Sequence, residues 1–383
     1  MMFTRLLSSP KRTAFLFGPR GTGKSTWIRQ NVRGAVTYDL LAVSEQLRLS
    51  RNPSALYDEL QHLQKGSWVV LDEVQKVPQL LDEAHRLIEE KKLRFLLCGS
   101  SARKLKRSGV NLLAGRAEIL RMFPLVSSEV QDLPTLDRVL THGMLPTVLT
   151  GDDPVAYLLS YVEVYLQEEI RQEALTRNFG AFARFLEVAA RQNGQVTNML
   201  NIARDAHVAR QTVAAYFDIL VDTLIGEWLP AWKLKRATKQ VTHPKFFFFD
   251  VGVARALSGR LPYPPAPEEA GVLFETFILQ EMRAYLGYSR KHYPLFFWRN
   301  YAGSEVDIVL ETQKGYVAIE VKYAAEWQPK YQRGLRTFAE ETGVKKVRQY
   351  GVFTGARRTT QGAVTVLPWR EFLRMLWDGE LLH

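Results

Sequence analysis

A single cysteine, Cys98, stands among 383 residues. One thiol excludes an intramolecular disulfide and suits a reducing compartment, so the cytoplasm is the expected location. No apolar run reaches the roughly 18 residues needed to cross a bilayer, which argues against a membrane partner. The opening segment "MMFTRLLSSPKRTAFLFG" has neither a secretory h-region nor a small-residue cleavage site, so no leader is expected. Acidic residues are in deficit: 40 Asp and Glu against 51 Lys and Arg give a net charge of +11. That balance favours polyanionic partners, nucleic acid first. No basic amphipathic helix stands out to favour an anionic membrane, and a basic proteome background is the bland alternative. Hydrophobic residues at 46% and charged residues at 24% describe an ordinary globular chain, long enough for two or three buried cores.

What is present begins with "TAFLFGPRGTGKSTWIRQ". The apolar run Ala14 to Phe17 reads as a buried parallel strand, followed by a P-loop pattern from Gly18 to Ser25 and then by a helix. Gly18, Gly21 and Gly23 let the backbone curl so that its N–H groups surround phosphates. Pro19, Arg20, Thr22 and Thr26 complete the cradle, Lys24 reaches the β- and γ-phosphates of ATP, and Ser25 ligates Mg²⁺. The helix start adds its positive end. "SWVVLDEVQ" supplies a second buried strand, ending in Asp72, which holds Mg²⁺, and Glu73, which polarises the attacking water. "RFLLCGSS" is a third, and Ser100 or Ser101 would sense the γ-phosphate.

The blocks "GPRGTGKST", "VVLDEVQ", "LLCGSSAR" and "LLAGRAEILRMFPL" resemble the bacterial and archaeal AAA-type ATPases that carry domain of unknown function 4143 at their C-terminus. The resemblance implies an AAA+-like P-loop core. It also implies an arginine that serves a neighbouring subunit, with Arg116 as first choice and Arg103 as second, a solvated or structural arginine being the alternative. Such a finger implies a homo-oligomer; a hexamer is one form, and the sequence leaves the size open.

After Pro124 the pattern turns helical, with "PVAYLLSYVEVYLQEEIRQEA" as the longest amphipathic segment, read as a lid over the nucleotide. "NMLNIARDAHVARQTVAAYFDILVDTLI" then reads as helix, turn and helix, with His207 in the turn. Leu200, Ala203, Val208, Val213, Phe217 and Leu220 are the expected small core. Arg210, Gln211 and Thr212 open the second helix, where a recognition helix meets DNA. "WKLKRATKQVTHPK", including Lys235, reads as the basic wing of a winged helix. A winged helix used only for packing or subunit contact is the alternative.

From Gly271 the expected order is helix (271–287), strands (294–299, 305–311 and 316–322), helix (328–342) and strand (346–353). That αβββαβ order resembles the core of the PD-(D/E)XK nucleases, a restriction-endonuclease-like fold. Glu320 and Lys322 share one face of a strand by period two, and Asp307 on the adjacent strand can face them. Asp307 and Glu320 would concentrate Mg²⁺ or Mn²⁺, and Lys322 would position the attacking water. The resemblance adds Glu275, on the preceding helix, as a further acid. Glu-x-Lys alone is weak, since roughly one copy arises by chance in a chain of this composition. Asp307 at hairpin spacing strengthens it. The resemblance continues through "FFFFDVGVARALSG", "LFETFILQEM" and "FFWRNYAGSEVDIVL", and departs from the motif's name in having Glu-Val-Asp where Pro-Asp would stand.

The expected fold is therefore α/β: a P-loop ATPase core (1–124), a helical lid (125–177), a winged helix (178–245) and a nuclease-like domain (246–383). The expected function is an ATP-hydrolysing, DNA-binding enzyme with metal-dependent DNA cleavage, in repair, processing or defence, with RNA left open as substrate. The alternatives are an ATP-dependent switch or scaffold whose nuclease-like domain binds without cutting, and an ATP-driven remodeller of protein partners.

Overall fold

The computed structural model describes residues 3–99, 116–165, 178–233, 243–344 and 346–382. Two compact units result: Met2–Pro124 with Asp222–Ile225, and Leu125–Val221 with Gly226–His383.

The first unit is built on a five-stranded sheet: β1 (Ala14–Phe17), β2 (Val36–Asp39), β3 (Trp68–Asp72), β4 (Arg94–Gly99) and β5 (Glu118–Arg121). Its order is β2-β3-β4-β1-β5 and every pairing is parallel. β1 is buried at all four positions, as expected of a central parallel strand covered on both faces. The Leu80–Lys91 helix buries Leu80, Leu81, Ala84 and Leu87, an i, i+3/i+4, i+7 stripe, against this sheet's core. Its Asp82 and Glu83 lie in the first turn and Lys91 in the last, which complements the helix dipole. β1 and β3 are separated by β4, so Phe17 aligns with Gly99 and Leu71 with Leu97. The carboxyl ends of the three strands therefore open on one edge, where ligands bind in such sheets.

The second unit begins with the helices Leu136–His142, Pro146–Thr150 and Pro154–Tyr165. The segment read as a lid is thus helical as far as Tyr165; its remainder, 166–177, lies outside the described residues. Three more helices follow, Phe179–Arg191, Met199–Asp205 and Arg210–Asp222, and then an antiparallel pair, β6 (Gly226–Leu229) and β7 (Lys245–Phe248). Val196 adds a third rung by bridging to Lys245. Within the segment read as a helix-turn-helix, Val208 is half-buried, and Ala203, Val213, Phe217 and Leu220 are buried as expected. Leu200 is not: it is 62% exposed, and Ile202 takes its place in the core. Asn198 accounts for the shift, because its side chain accepts from Leu200 N and Asn201 N and starts the helix at Met199.

The chain continues through the Val251–Leu257 helix, an ordered loop and the 22-residue Pro267–Tyr288 helix. A six-stranded sheet follows: β8 (Leu295–Arg299), β9 (Glu305–Thr312), β10 (Gly315–Lys322), β11 (Val347–Phe353), β12 (Thr359–Gln361) and β13 (Val364–Pro368), in the order β12-β13-β11-β10-β9-β8. β8, β9 and β10 form an antiparallel meander. β11 lies parallel to β10 after the Arg333–Glu341 helix, the crossover that a parallel pairing requires. Gly334 allows that helix to approach β9, since a Cβ there would meet the Glu305 carbonyl at 1.6 Å. The Trp369–Trp377 helix closes the fold.

Candidate functional site

The first site is the P-loop. Gly21 and Gly23 have φ of 78° and 93°, the left-handed region that glycine enters without strain, and Gly23 leads into the Lys24–Asn31 helix. Gly18 is required for another reason: a Cβ there would lie 2.5 Å from the Met122 carbonyl oxygen. Thr22 is buried and donates to the Pro19 carbonyl at 2.8 Å, closing the loop on itself. The Lys24 ammonium donates to the Gly18 and Pro19 carbonyls at 2.7 and 3.0 Å. Arg20 is half-buried, and Ser25 and Thr26 are exposed at the helix start. Arg5, which the sequence did not single out, ties the loop down from outside. It donates to the Thr22 carbonyl at 2.5 Å and to the Phe123 carbonyl at 2.7 Å.

β3 delivers the acids to the same place. Ser25 Oγ and Asp72 Oδ2 are 3.4 Å apart, so the two expected Mg²⁺ ligands converge. Asp72 also accepts from the Glu73 N–H at 3.1 Å. Burial pushes the Asp72 pKa up and the neighbouring Glu73 adds to this, while Lys24 opposes both. Glu73 itself adopts φ 57°, an uncommon conformation for a residue with a Cβ, and its carboxylate is held by the Gln75 side chain. A hydroxyl beside a carboxylate crowded by a second acid fits a divalent cation.

Ser100, Ser101 and Arg103 lie outside the described residues. Arg116 is exposed and pairs with Glu89 of the same chain. It precedes β5, whose Glu118 aligns with Ala14 at the amino-terminal end of β1. Arg116 is therefore at the sheet edge opposite the P-loop of its own subunit. In the second unit Arg210 and Gln211 are exposed and Thr212 half-buried at the start of their helix, and Lys235 is outside the described residues.

The second site is a carboxylate–lysine cluster. β9 and β10 pair antiparallel with Ile308 opposite Ile319, and the next step places Asp307 opposite Glu320. Both acids are buried. Asp307 Oδ2 accepts from the Val321 N–H at 2.8 Å and from the Lys322 ammonium at 3.4 Å. Lys322 also lies 2.5 Å from Glu320 Oε1 and donates to the Val321 carbonyl at 3.2 Å. The other Glu320 oxygen, Oε2, is buried without a hydrogen-bond partner. Burial raises the Glu320 pKa well above the carboxylate range and the Asp307 charge adds to it, with Lys322 opposing. Burial works against the Lys322 ammonium, but Asp307 and Glu320 outweigh it and hold its pKa up.

Glu275 does not join this pair directly. Its Oε1 is 2.9 Å from the ammonium of Lys245, which also lies 2.6 Å from Glu305 Oε1. Burial, reinforced by Asp307 and Glu305 and opposed by Lys245, pushes the Glu275 pKa up to about 7. This corrects the reading of 232–245 as a basic wing at both ends. Lys245 is buried and ion-paired, and Trp232 is buried against Tyr316 and Phe338. The intervening residues 234–242 lie outside the described residues. Lys245 was hidden in the sequence by the basic run before it; the signal for it was its place directly before the apolar run "FFFF".

Among the described residues no three His, Cys, Asp or Glu side chains form a metal-holding group. Two carboxylates and one buried oxygen without a partner instead fit an ion that keeps several waters, as Mg²⁺ does. Among the described residues no helix is long and apolar enough to cross a membrane.

The family model for an AAA domain matches residues 10–131, which implies nucleotide and usually Mg²⁺ use. Two domains of unknown function, DUF8612 and DUF4143, match residues 133–263 and 270–372. No curated protein matches the chain. Among solved structures, Can2 from Sulfobacillus thermosulfidooxidans in complex with cyclic tetra-adenylate is 11% identical over 97% of this chain and 100% of that chain, with a TM-score of 0.23. The Pyrococcus horikoshii signal transduction ATPase PH0952, with a tetratricopeptide repeat sensor, is 13% identical over 73% and 46%, at 0.20. VC1899 from Vibrio cholerae is 12% identical over 96% and 97%, at 0.21. Likeness at these TM-scores carries no functional assignment.

Proposed function

We propose that the chain is an ATP-hydrolysing, DNA-binding enzyme that cleaves DNA with a divalent metal at Asp307 and Glu320. The observation that carries the cleavage reading is the juxtaposition of Asp307, Glu320 and Lys322 on paired strands, with Glu320 Oε2 left unpartnered. A bound Mg²⁺ or Mn²⁺ would lower the pKa of its water and stabilise the charge on the phosphate. Asp307 and Glu320 would hold the ion, and Lys322 would hold the attacking water through its ammonium. The antiparallel β8–β10 meander followed by a helix and parallel β11 supports a PD-(D/E)XK-like reading.

ATP would bind at Gly18–Thr26, with Ser25 and Asp72 holding Mg²⁺, Glu73 aligning the water and Ser100 serving the γ-phosphate. The domain reading keeps its four parts, 1–124, 125–177, 178–245 and 246–383. DNA contacts fall to Arg210, Gln211, Thr212 and Lys235 at a winged helix, which the three helices, β6, β7 and the Val196 rung support. Arg116 acts on a neighbouring subunit of a homo-oligomer.

The test compares wild type with Asp307→Ala, prepared identically, on linear, forked and four-way DNAs and on RNA, with Mg²⁺ or Mn²⁺ and with and without ATP. Cleavage should be lost in Asp307→Ala, which removes a metal ligand, while ATPase persists. Equal cutting by both, or none by either, defeats the nuclease reading. The pairing of all four cluster acids with lysines favours one second reading, an ATP-dependent scaffold that binds DNA or protein without cutting.

A further inference from the structure

The two lysines of the carboxylate cluster are held differently. Lys322 is half-buried at the end of its own strand, between Asp307 and Glu320. Lys245 is buried and is fixed by the structure around it. It pairs with Leu229 on one side and bridges to Val196 on the other. The strand partner continues onto the edge of the six-stranded sheet, where Trp232 N donates to the Phe297 carbonyl at 2.7 Å and Phe297 N to the Pro230 carbonyl at 3.1 Å. The Lys245 ammonium lies 5.2 Å from the centre of the Phe297 ring. It has nowhere to withdraw to.

We propose that Lys245 occupies the place of a second cation in this cluster, so that the site takes one divalent ion, between Asp307 and Glu320, and not two. The inference rests on the metal-site reading above and deepens it. A two-ion site needs carboxylates that clamp ions about 4 Å apart. Glu275 and Glu305 are the further acids of the cluster, and an oxygen of each is already taken by Lys245. Charge points the same way. Fully ionised, as a bound cation would favour, Glu275, Glu305, Asp307 and Glu320 would carry four negative charges against two positive ones on Lys245 and Lys322, which leaves the charge that one divalent ion cancels. Arg299 reaches Glu305 Oε2 at 3.4 Å, but it is 42% exposed and screened by solvent. A second divalent ion would leave excess positive charge in a buried place.

The test counts Mn²⁺ bound to the full-length, nucleotide-free protein by the electron paramagnetic resonance of free Mn²⁺. Wild type should bind one ion that Asp307→Ala loses. Glu275→Gln should leave its affinity within about twofold, since Glu275 is not a ligand, whereas loss of a ligand or its support costs roughly tenfold or more. Lys245→Gln should add a second ion, and Lys245→Arg should keep one. Two ions lost together from wild type on Asp307→Ala, or affinity weakened roughly tenfold in Glu275→Gln, overturns the proposal and leaves the metal site standing. A Lys245→Gln protein that still binds one ion also overturns it. No ion lost in Asp307→Ala overturns both. If Lys245→Gln does not fold, wild type and Glu275→Gln decide between these outcomes.

Discussion

Asp307 Oδ2 lies 3.4 Å from the Lys322 ammonium although the two residues sit on different strands. The contact depends on register. β9 and β10 are joined by the two residues Gln313 and Lys314, and Gly315 opens the return strand at φ 131°. The Thr312 hydroxyl donates to the Gly315 carbonyl at 2.8 Å and ties the turn. A slip of one residue would send Glu320 and Lys322 to the opposite face of the sheet. A short turn with one special glycine thus fixes which side chains meet.

The P-loop reading makes a separable pair of expectations. Lys24→Ala should abolish nucleotide binding, because the ammonium spans the loop at the Gly18 and Pro19 carbonyls and is the positive charge placed to meet the phosphates. Glu73→Gln should keep ATP bound and slow hydrolysis by about 10²–10⁴, the usual loss of a general base. Nucleotide binding is read by fluorescence of a labelled ATP and turnover by phosphate release. Turnover at the wild-type rate in Glu73→Gln would remove that residue from catalysis.

Arg116 stands at the sheet edge opposite its own P-loop and is paired with Glu89, so any action on ATP has to be on another subunit's. Inactive Arg116→Ala mixed with inactive Lys24→Ala should regain ATPase, since each supplies the part the other lacks. Glu89→Ala should not abolish activity, because an exposed pair contributes little to folding. A fully active monomer in ultracentrifugation would end the idea of a shared site.

DNA affinity should fall steeply with salt, as counterions released from phosphates set the slope. Arg210→Glu should weaken binding and flatten the salt slope by about 1 if that residue touches a phosphate. The same slope in wild type and Arg210→Glu, measured by fluorescence anisotropy from 50 to roughly 300 mM salt, would move the contact elsewhere.

The parts readable in the sequence are those written in local pattern. Ala14–Phe17, Trp68–Asp72 and Arg94–Gly99 are short apolar runs bounded by glycine or acids, and each is a strand. Asp307, Glu320 and Lys322 could be grouped because period two and one hairpin suffice to bring them together. Lys245 could not, because Glu275 on the Pro267–Tyr288 helix and Glu305 on β9 reach it by tertiary packing, which no local pattern records. Leu200 shows the converse: its spacing suited a core position, but a cap at Asn198 set the helix phase against it. Arg5 lies in an unpatterned segment and reaches the P-loop across seventeen residues.

A buried acid outside the two side-chain clusters gives the last prediction. Asp250 caps the Val251–Leu257 helix, with Oδ1 accepting from Val253 N at 3.1 Å and Oδ2 from Met144 N at 2.8 Å. It fits under Gly143, where a Cβ would lie 2.0 Å from Oδ1. Burial raises its pKa from 3.8 to about 6, against the pull of the backbone N–H donors. At this carboxyl the folded state then binds more proton than the unfolded chain between about pH 4 and 6. Its contribution to stability is full below the unfolded pKa and is lost as pH rises through the folded one. Two pH units correspond to about 3 kcal/mol. Asp250→Asn cannot titrate, so its unfolding curve should lack this fall. The amide also presents an NH₂ to one of two N–H donors, which should cost about 1–3 kcal/mol at every pH. Urea unfolding of both proteins from about pH 4 to 7 separates the two effects: a constant offset reports the lost acceptor, and the converging difference reports the proton. Parallel curves across that range would mean that Asp250 is ionised throughout in the folded state.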